Sequence, residues 1–117
     1  MVLSYSLESK GKNLIAHFYG ELDHHMTKGA RKDIDKKYLD MDLKNIIFNF
    51  SNLTLMDSSG IGLVMGRYKY VVEKRGKVII ISSNVYIDRI IKMSGLLKIV
   101  EVYTDLNSAL ENIKEVK

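Results

Sequence analysis

The sequence predicts one α/β domain over residues 1–117, a mixed central sheet with helices in the order β-β-α-β-α-β-α-β-α. Three observations predict it. Short β-prone runs alternate with segments of helical period, the chain opens on two such runs around a glycine-containing turn, and no repeat or linker divides it. Alternating strands and helices imply parallel pairing under helical cover, while the opening hairpin requires an antiparallel pair. At 117 residues without Cys, the chain buries enough surface to fold without staples, and disulfide frameworks, thiolate zinc sites and cysteine nucleophiles are excluded.

Val2–Leu7 and Asn13–Tyr19 read as two strands around the turn Ser9-Lys10-Gly11-Lys12. Gly20-Glu21-Leu22-Asp23 reads as a polar connection, with Asp23 capping a helix over His24–Asp40. Met26, Ala30, Ile34 and Tyr38 recur every four residues and form its apolar stripe, so the basic residues between Lys28 and Lys37 read as a solvated face. Ile46–Phe50 is apolar on both faces and reads as an interior strand. After Leu53-Thr54-Leu55-Met56-Asp57-Ser58-Ser59-Gly60, a second helix runs through Lys74, with Gly76 as its stop. Lys77–Ile81 reads as a buried strand, and Ser82-Ser83-Asn84 caps a third helix that Ser94-Gly95 ends. Leu97–Val102 reads as the last strand. Thr104-Asp105 then starts a terminal helix with Leu106, Ala109, Leu110 and Ile113 on one face.

Lys and Arg number 18 against 14 Asp and Glu, a net charge of +4. That excess is modest and interleaved with acids, which argues against nucleic acid as a partner. No leader pattern opens the chain and no apolar run approaches the roughly 18–20 residues a membrane span needs, so a cytoplasmic protein that does not meet the membrane is expected.

The sharpest local feature is Met56-Asp57-Ser58-Ser59-Gly60-Ile61-Gly62 at the start of the second helix. A helix N-terminus presents unpaired N–H groups and partial positive charge, which suit a capping oxygen, a bound anion or a phosphorylated serine. A phosphoryl group there adds about −1.5 to −2 charges beside Asp57. These residues leave capping and phosphorylation both open, and they do not distinguish Ser58 from Ser59. A small-ligand or nucleotide sensor using the same N-terminus is the alternative function. Gly62 and Gly66 share one side of the helix, where close approach could come from the sheet or from a partner. Neither G-x-G-x-x-G nor G-x-x-x-x-G-K-[ST] occurs, which argues against an ATPase. Glu21-Leu22-Asp23-His24-His25 offers metal-ligand types, but adjacent helical histidines diverge and no third ligand follows at a metal spacing. The G-x-S-x-G elbow is absent too, so a non-enzyme without cofactor is expected.

Gly20-Glu21-Leu22-Asp23-His24-His25, Met56 to Gly62, Gly66-Arg67-Tyr68-Lys69 and Met93-Ser94-Gly95-Leu96 together resemble the bacterial anti-sigma factor antagonists, nearest those of the sporulation sigma F pathway. The resemblance runs over almost the whole chain. It implies a STAS domain with helices packed mainly on one side of the sheet. It also implies that the unphosphorylated form binds an anti-sigma factor that is itself a serine kinase using ATP and magnesium, freeing the sigma factor. Phosphorylation by that kinase inactivates the antagonist and a PP2C-type phosphatase restores it. Matched residue by residue, the resemblance puts the phosphoacceptor at Ser58. Glu21, Asp23, His24, Asp57, Ser59, Gly60 and Gly62 then fall at or near the kinase-binding surface.

Overall fold

A computed structural model describes residues 5–115. Strands β1 (Tyr5–Lys10), β2 (Asn13–Leu22), β3 (Asn45–Met56), β4 (Val78–Ile81) and β5 (Glu101–Tyr103) form one sheet in the spatial order β1-β2-β3-β4-β5. β1 is antiparallel to β2 and every other pair is parallel. Helices α1 (His24–Asp40), α2 (Ser58–Glu73), α3 (Val85–Ser94) and α4 (Leu106–Glu115) complete the predicted order.

Each parallel strand is reached by a helical crossover running the same way along the sheet, which stacks α1, α2 and α3 on one face. There Ala30, Ile34, Tyr38, Val64, Val71, Ile87 and Ile91 bury against Leu14, Phe18, Phe48 and Ile80. Among the described residues the opposite face is covered by α4, through Ala109 with Leu106, Leu110 and Ile113 against Ile15, Ile47, Ile79 and Ile81. The expectation of helices mainly on one side is met. Burying Ile47 and Phe48 on opposite faces explains why the β3 core reads as an unbroken apolar run.

Several boundaries differ from the sequence reading. Val2 to Ser4 of the first predicted strand lie outside the described residues. Ser9 and Lys10 pair in the ladder, leaving Gly11-Lys12 as the turn, with Gly11 at φ 62°. β2 continues through Glu21 and Leu22, so Gly20–Leu22 belongs to a strand and Asp23 alone makes the connection. β3 extends far beyond Phe50, since its polar outer half pairs with β2 through Leu22↔Met56, with register shifts near Tyr19 and Glu21. Polar Ser51, Asn52 and Thr54 hid this extension. The segment read as a strand from Leu97 is a 3-10 turn over Leu96–Lys98, and pairing begins only at Glu101.

Gly76 also plays another part than the sequence suggests. α2 ends with Gly76 N–H donating to the Val71 carbonyl at 2.9 Å and Arg75 N–H to the Val72 carbonyl at 2.9 Å. This is a Schellman closure, and its left-handed residue is Arg75 at φ 62°. A residue with a Cβ is strained there, so Arg75→Gly is expected to raise stability by about 0.5–1 kcal/mol, a few degrees in a thermal melt. An unchanged or lower melting temperature would contradict that assignment of strain.

Candidate functional site

β2 and β3 end level with each other, so the helices that follow start side by side at the C-terminal edge of the sheet, where α/β folds commonly bind. Asp23 and Asp57 occupy equivalent places as the two N-caps. Asp23 Oδ1 accepts from His25 N–H at 3.0 Å and Met26 N–H at 3.1 Å. The Met26 bond above all holds its carboxyl below the usual carboxylate range, assisted by the His25 amide and the nearby imidazoles. Asp57 Oδ1 accepts from Ser59 N–H at 2.8 Å, and Asp57 N–H donates to the Leu22 carbonyl at 3.3 Å, tying the two helix starts together.

This cap separates the two serines. Ser58 is the first residue of α2 and is exposed, whereas Ser59, whose amide closes the cap, is half-buried and faces α1. Gly60 is buried, and a Cβ on it would stand 2.5 Å from the Met56 side chain and 3.2 Å from Leu22. Close intramolecular approach therefore belongs to Gly60. Gly62 is exposed, and a Cβ on either Gly62 or Gly66 would meet nothing within 4 Å. Packing against the sheet does not explain those two glycines. Gly66 is half-buried, and Gly62 lies on the outer face of α2, where Ser58, Gly62, Met65, Lys69 and Val72 form an exposed stripe at helical spacing. Gly62→Ala is accordingly expected to stabilise the fold by about 0.5–1 kcal/mol through helix propensity, as a thermal melt would register.

Between α1 and α2 lies an open groove of about 540 Å³. His24, His25, Lys28 and Arg31 line it from α1, opposite Ser59, Gly62 and Arg67 of α2. One expectation changes here. The rings of His24 and His25, expected to diverge, meet edge to face with centroids 4.8 Å apart. Lys28 and Arg31 are exposed, as their reading as part of a solvated face expects, and they also line this open groove. Among the described residues no group of three His, Cys, Asp or Glu is gathered as a metal site.

Arg67 was only part of a motif in the sequence, with no role of its own. It is 7% exposed, and its Nε donates to Asp35 Oδ1 at 2.9 Å and to the Tyr70 hydroxyl at 3.1 Å. Nη1 donates to the Leu63 carbonyl at 3.0 Å. The Tyr70 hydroxyl also bonds Asp35, and burial pushes its ionisation well above the ordinary tyrosine value. A buried basic residue on an otherwise apolar helix side is the signal that could have marked it. Glu21 is exposed near the end of β2 and does not line the groove.

Residues 4–109 match the STAS domain family. An anti-sigma F factor antagonist of Paenibacillus polymyxa is 34% identical over 116 residues, 99% of this chain and 99% of that protein. The structure of the Bacillus cell fate determinant SpoIIAA in its phosphorylated form is similar with a TM-score of 0.75 at 29% identity, over 94% of this chain and 99% of that one. The anti-sigma factor antagonist SpoIIAA in its unphosphorylated form shares the fold with a TM-score of 0.79 at 24% identity, over 97% and 100% of the two chains.

Proposed function

Because the chain belongs to the STAS domain family, we propose that it is an anti-sigma factor antagonist, a regulatory binding protein switched by phosphorylation of Ser58. The unmodified form binds an anti-sigma serine kinase and releases the sporulation sigma factor. The kinase transfers the γ-phosphoryl group of ATP to the Ser58 hydroxyl oxygen, ADP leaves and the hydroxyl proton is released. A PP2C-type phosphatase hydrolyses the ester and restores the antagonist. These partners place the protein's work in the cytoplasm, and no helix among the described residues is long and apolar enough to cross a membrane.

The observation that carries this reading is the exposed Ser58 at the head of the outer α2 stripe, with Gly62 one turn beneath it, a glycine that no intramolecular contact requires. Such a surface admits a partner's backbone closely, and a phosphoryl group at its head meets any docked protein first. Asp23, Asp57, Glu21 and His24 border the same surface, while Gly60 supports it from below. Gly62→Ala, which stabilises the isolated fold, is expected to weaken kinase binding roughly tenfold, because a methyl group intrudes where the partner approaches. Unchanged affinity in a binding titration would remove Gly62 from the interface.

The direct test is intact-mass measurement after incubation with the anti-sigma kinase and magnesium ATP. Wild type and Ser59→Ala are expected to gain one phosphoryl group and Ser58→Ala none. No gain on any of the three would overturn the reading and favour the ligand-sensor alternative.

A further inference from the structure

Gly62 belongs to two surfaces. It is exposed within the outer stripe of α2 that is assigned to the kinase above, and it also lines the groove between α1 and α2. A Cβ there would meet nothing within 4 Å, so a protein lying on the stripe reaches the groove over bare backbone. Inside the groove the charge is one-sided. His24, Lys28 and Arg31 recur at helical spacing along one side of α1, opposite Arg67, and among the described residues none that lines the groove is acidic. The buried Arg67 is answered by Asp35, with Nε 2.9 Å from Oδ1. Lys28 and Arg31 make no ion pair within 4 Å among the described residues, so their positive charges are left uncompensated within the fold.

We propose that this groove receives an acidic side chain, Asp or Glu, of the docked anti-sigma kinase, with Lys28 and Arg31 as its ionic partners. This role rests on the kinase-binding reading above and adds to the α2 stripe a second point of recognition. Charge complementarity selects a carboxylate, and the open shape of the groove selects a protein as its source. A small free anion in an open groove stays screened by water and salt, so exposed cations hold it weakly. A carboxylate carried by a protein that covers the groove loses that screening as water leaves, and a close charge pair across an interface contributes to affinity and to the choice of partner.

The test is a calorimetric titration of the anti-sigma kinase with wild type, with Lys28→Gln/Arg31→Gln and with Lys10→Gln/Lys44→Gln. All four substituted residues are exposed, so each variant should melt within about 2 °C of wild type. Lys10 and Lys44 adjoin the starts of β2 and β3, at the end of the sheet opposite the groove, so the second variant removes the same net charge elsewhere. The groove variant is expected to bind about 10- to 30-fold more weakly than wild type and with a shallower dependence of affinity on salt, and the control to stay within about threefold. Unchanged affinity in the groove variant, or an equal loss in both variants, overturns the groove's role while leaving kinase binding intact. A wild type that neither binds the kinase nor gains a phosphoryl group overturns both readings. Inorganic phosphate is titrated into wild type by amide NMR in parallel: saturable shifts at Lys28 and Arg31, with kinase affinity unchanged in the groove variant, would make this a small-anion site and overturn the proposal.

Discussion

Ser58→Asp is expected to weaken binding to the anti-sigma kinase by about 2–4 kcal/mol, roughly 30- to 1000-fold in a calorimetric or competition titration. The cost arises because a carboxylate at the head of the α2 stripe must give up water when a partner covers it, with Asp57 next to it adding repulsion. The same substitution leaves the fold intact. An acid in the first turn of a helix gains about 0.3–1 kcal/mol from the helix dipole, so the variant should melt no lower than wild type. Ser58→Ala removes only an exposed hydroxyl and should stay within about fivefold of wild-type affinity. Equal binding by wild type and Ser58→Asp would contradict the switch. Moving a two-state population from 1:99 to 99:1 takes about 5.5 kcal/mol, more than a lone carboxylate supplies. Asp is therefore expected to mimic the phosphorylated form incompletely.

Gly76→Ala is expected to cost about 3 kcal/mol or more, lowering the melting temperature by roughly 10 °C. An added Cβ would stand 1.9 Å from the Lys44 carbonyl oxygen and 2.8 Å from its carbon. Those are backbone atoms at the entry to β3, and they are fixed by the Lys44 and Asn45 amides bonding the Lys12 carbonyl at 2.8 and 3.1 Å and by the Tyr38 hydroxyl bonding the same Lys44 oxygen at 2.7 Å. Relief would therefore have to come from moving the end of α2 away from the sheet. Gly60→Ala meets mainly the Met56 side chain, which can rotate, and should cost less. A melt in which Gly76→Ala loses no more than Gly60→Ala would contradict this ranking.

Much of the architecture was legible because it is local. The stripe Ala30, Ile34, Tyr38 marks α1 by its period, and Ile46 to Phe48 declares an interior strand by being apolar on both faces. Asp23, Asn84 and Asp105 announce helix starts by side-chain chemistry that acts within three residues, and each accepts the expected amides. The outer half of β3 was not legible, since Ser51, Asn52 and Thr54 are strand residues only because β2 runs alongside them. Gly76 misled in a related way: its helix-stop signal is real, but the demand for glycine comes from Lys44, 32 residues away in sequence.

The candidate site divides along the same line. By itself the sequence determined the element order, the caps and, through its resemblance to a family, attention to Ser58. Only the tertiary structure decided that Ser58 is exposed while Ser59 turns toward α1, that Gly62 faces outward while Gly60 is buried, and that Lys28, Arg31 and Arg67 share one groove. Caps and periodicity arise from forces between residues a few positions apart, which a sequence displays directly. Which face of one helix meets another, and which charges gather between them, is set by strand pairing and crossover handedness acting across more than 30 residues, and that information exists only once the sheet has formed.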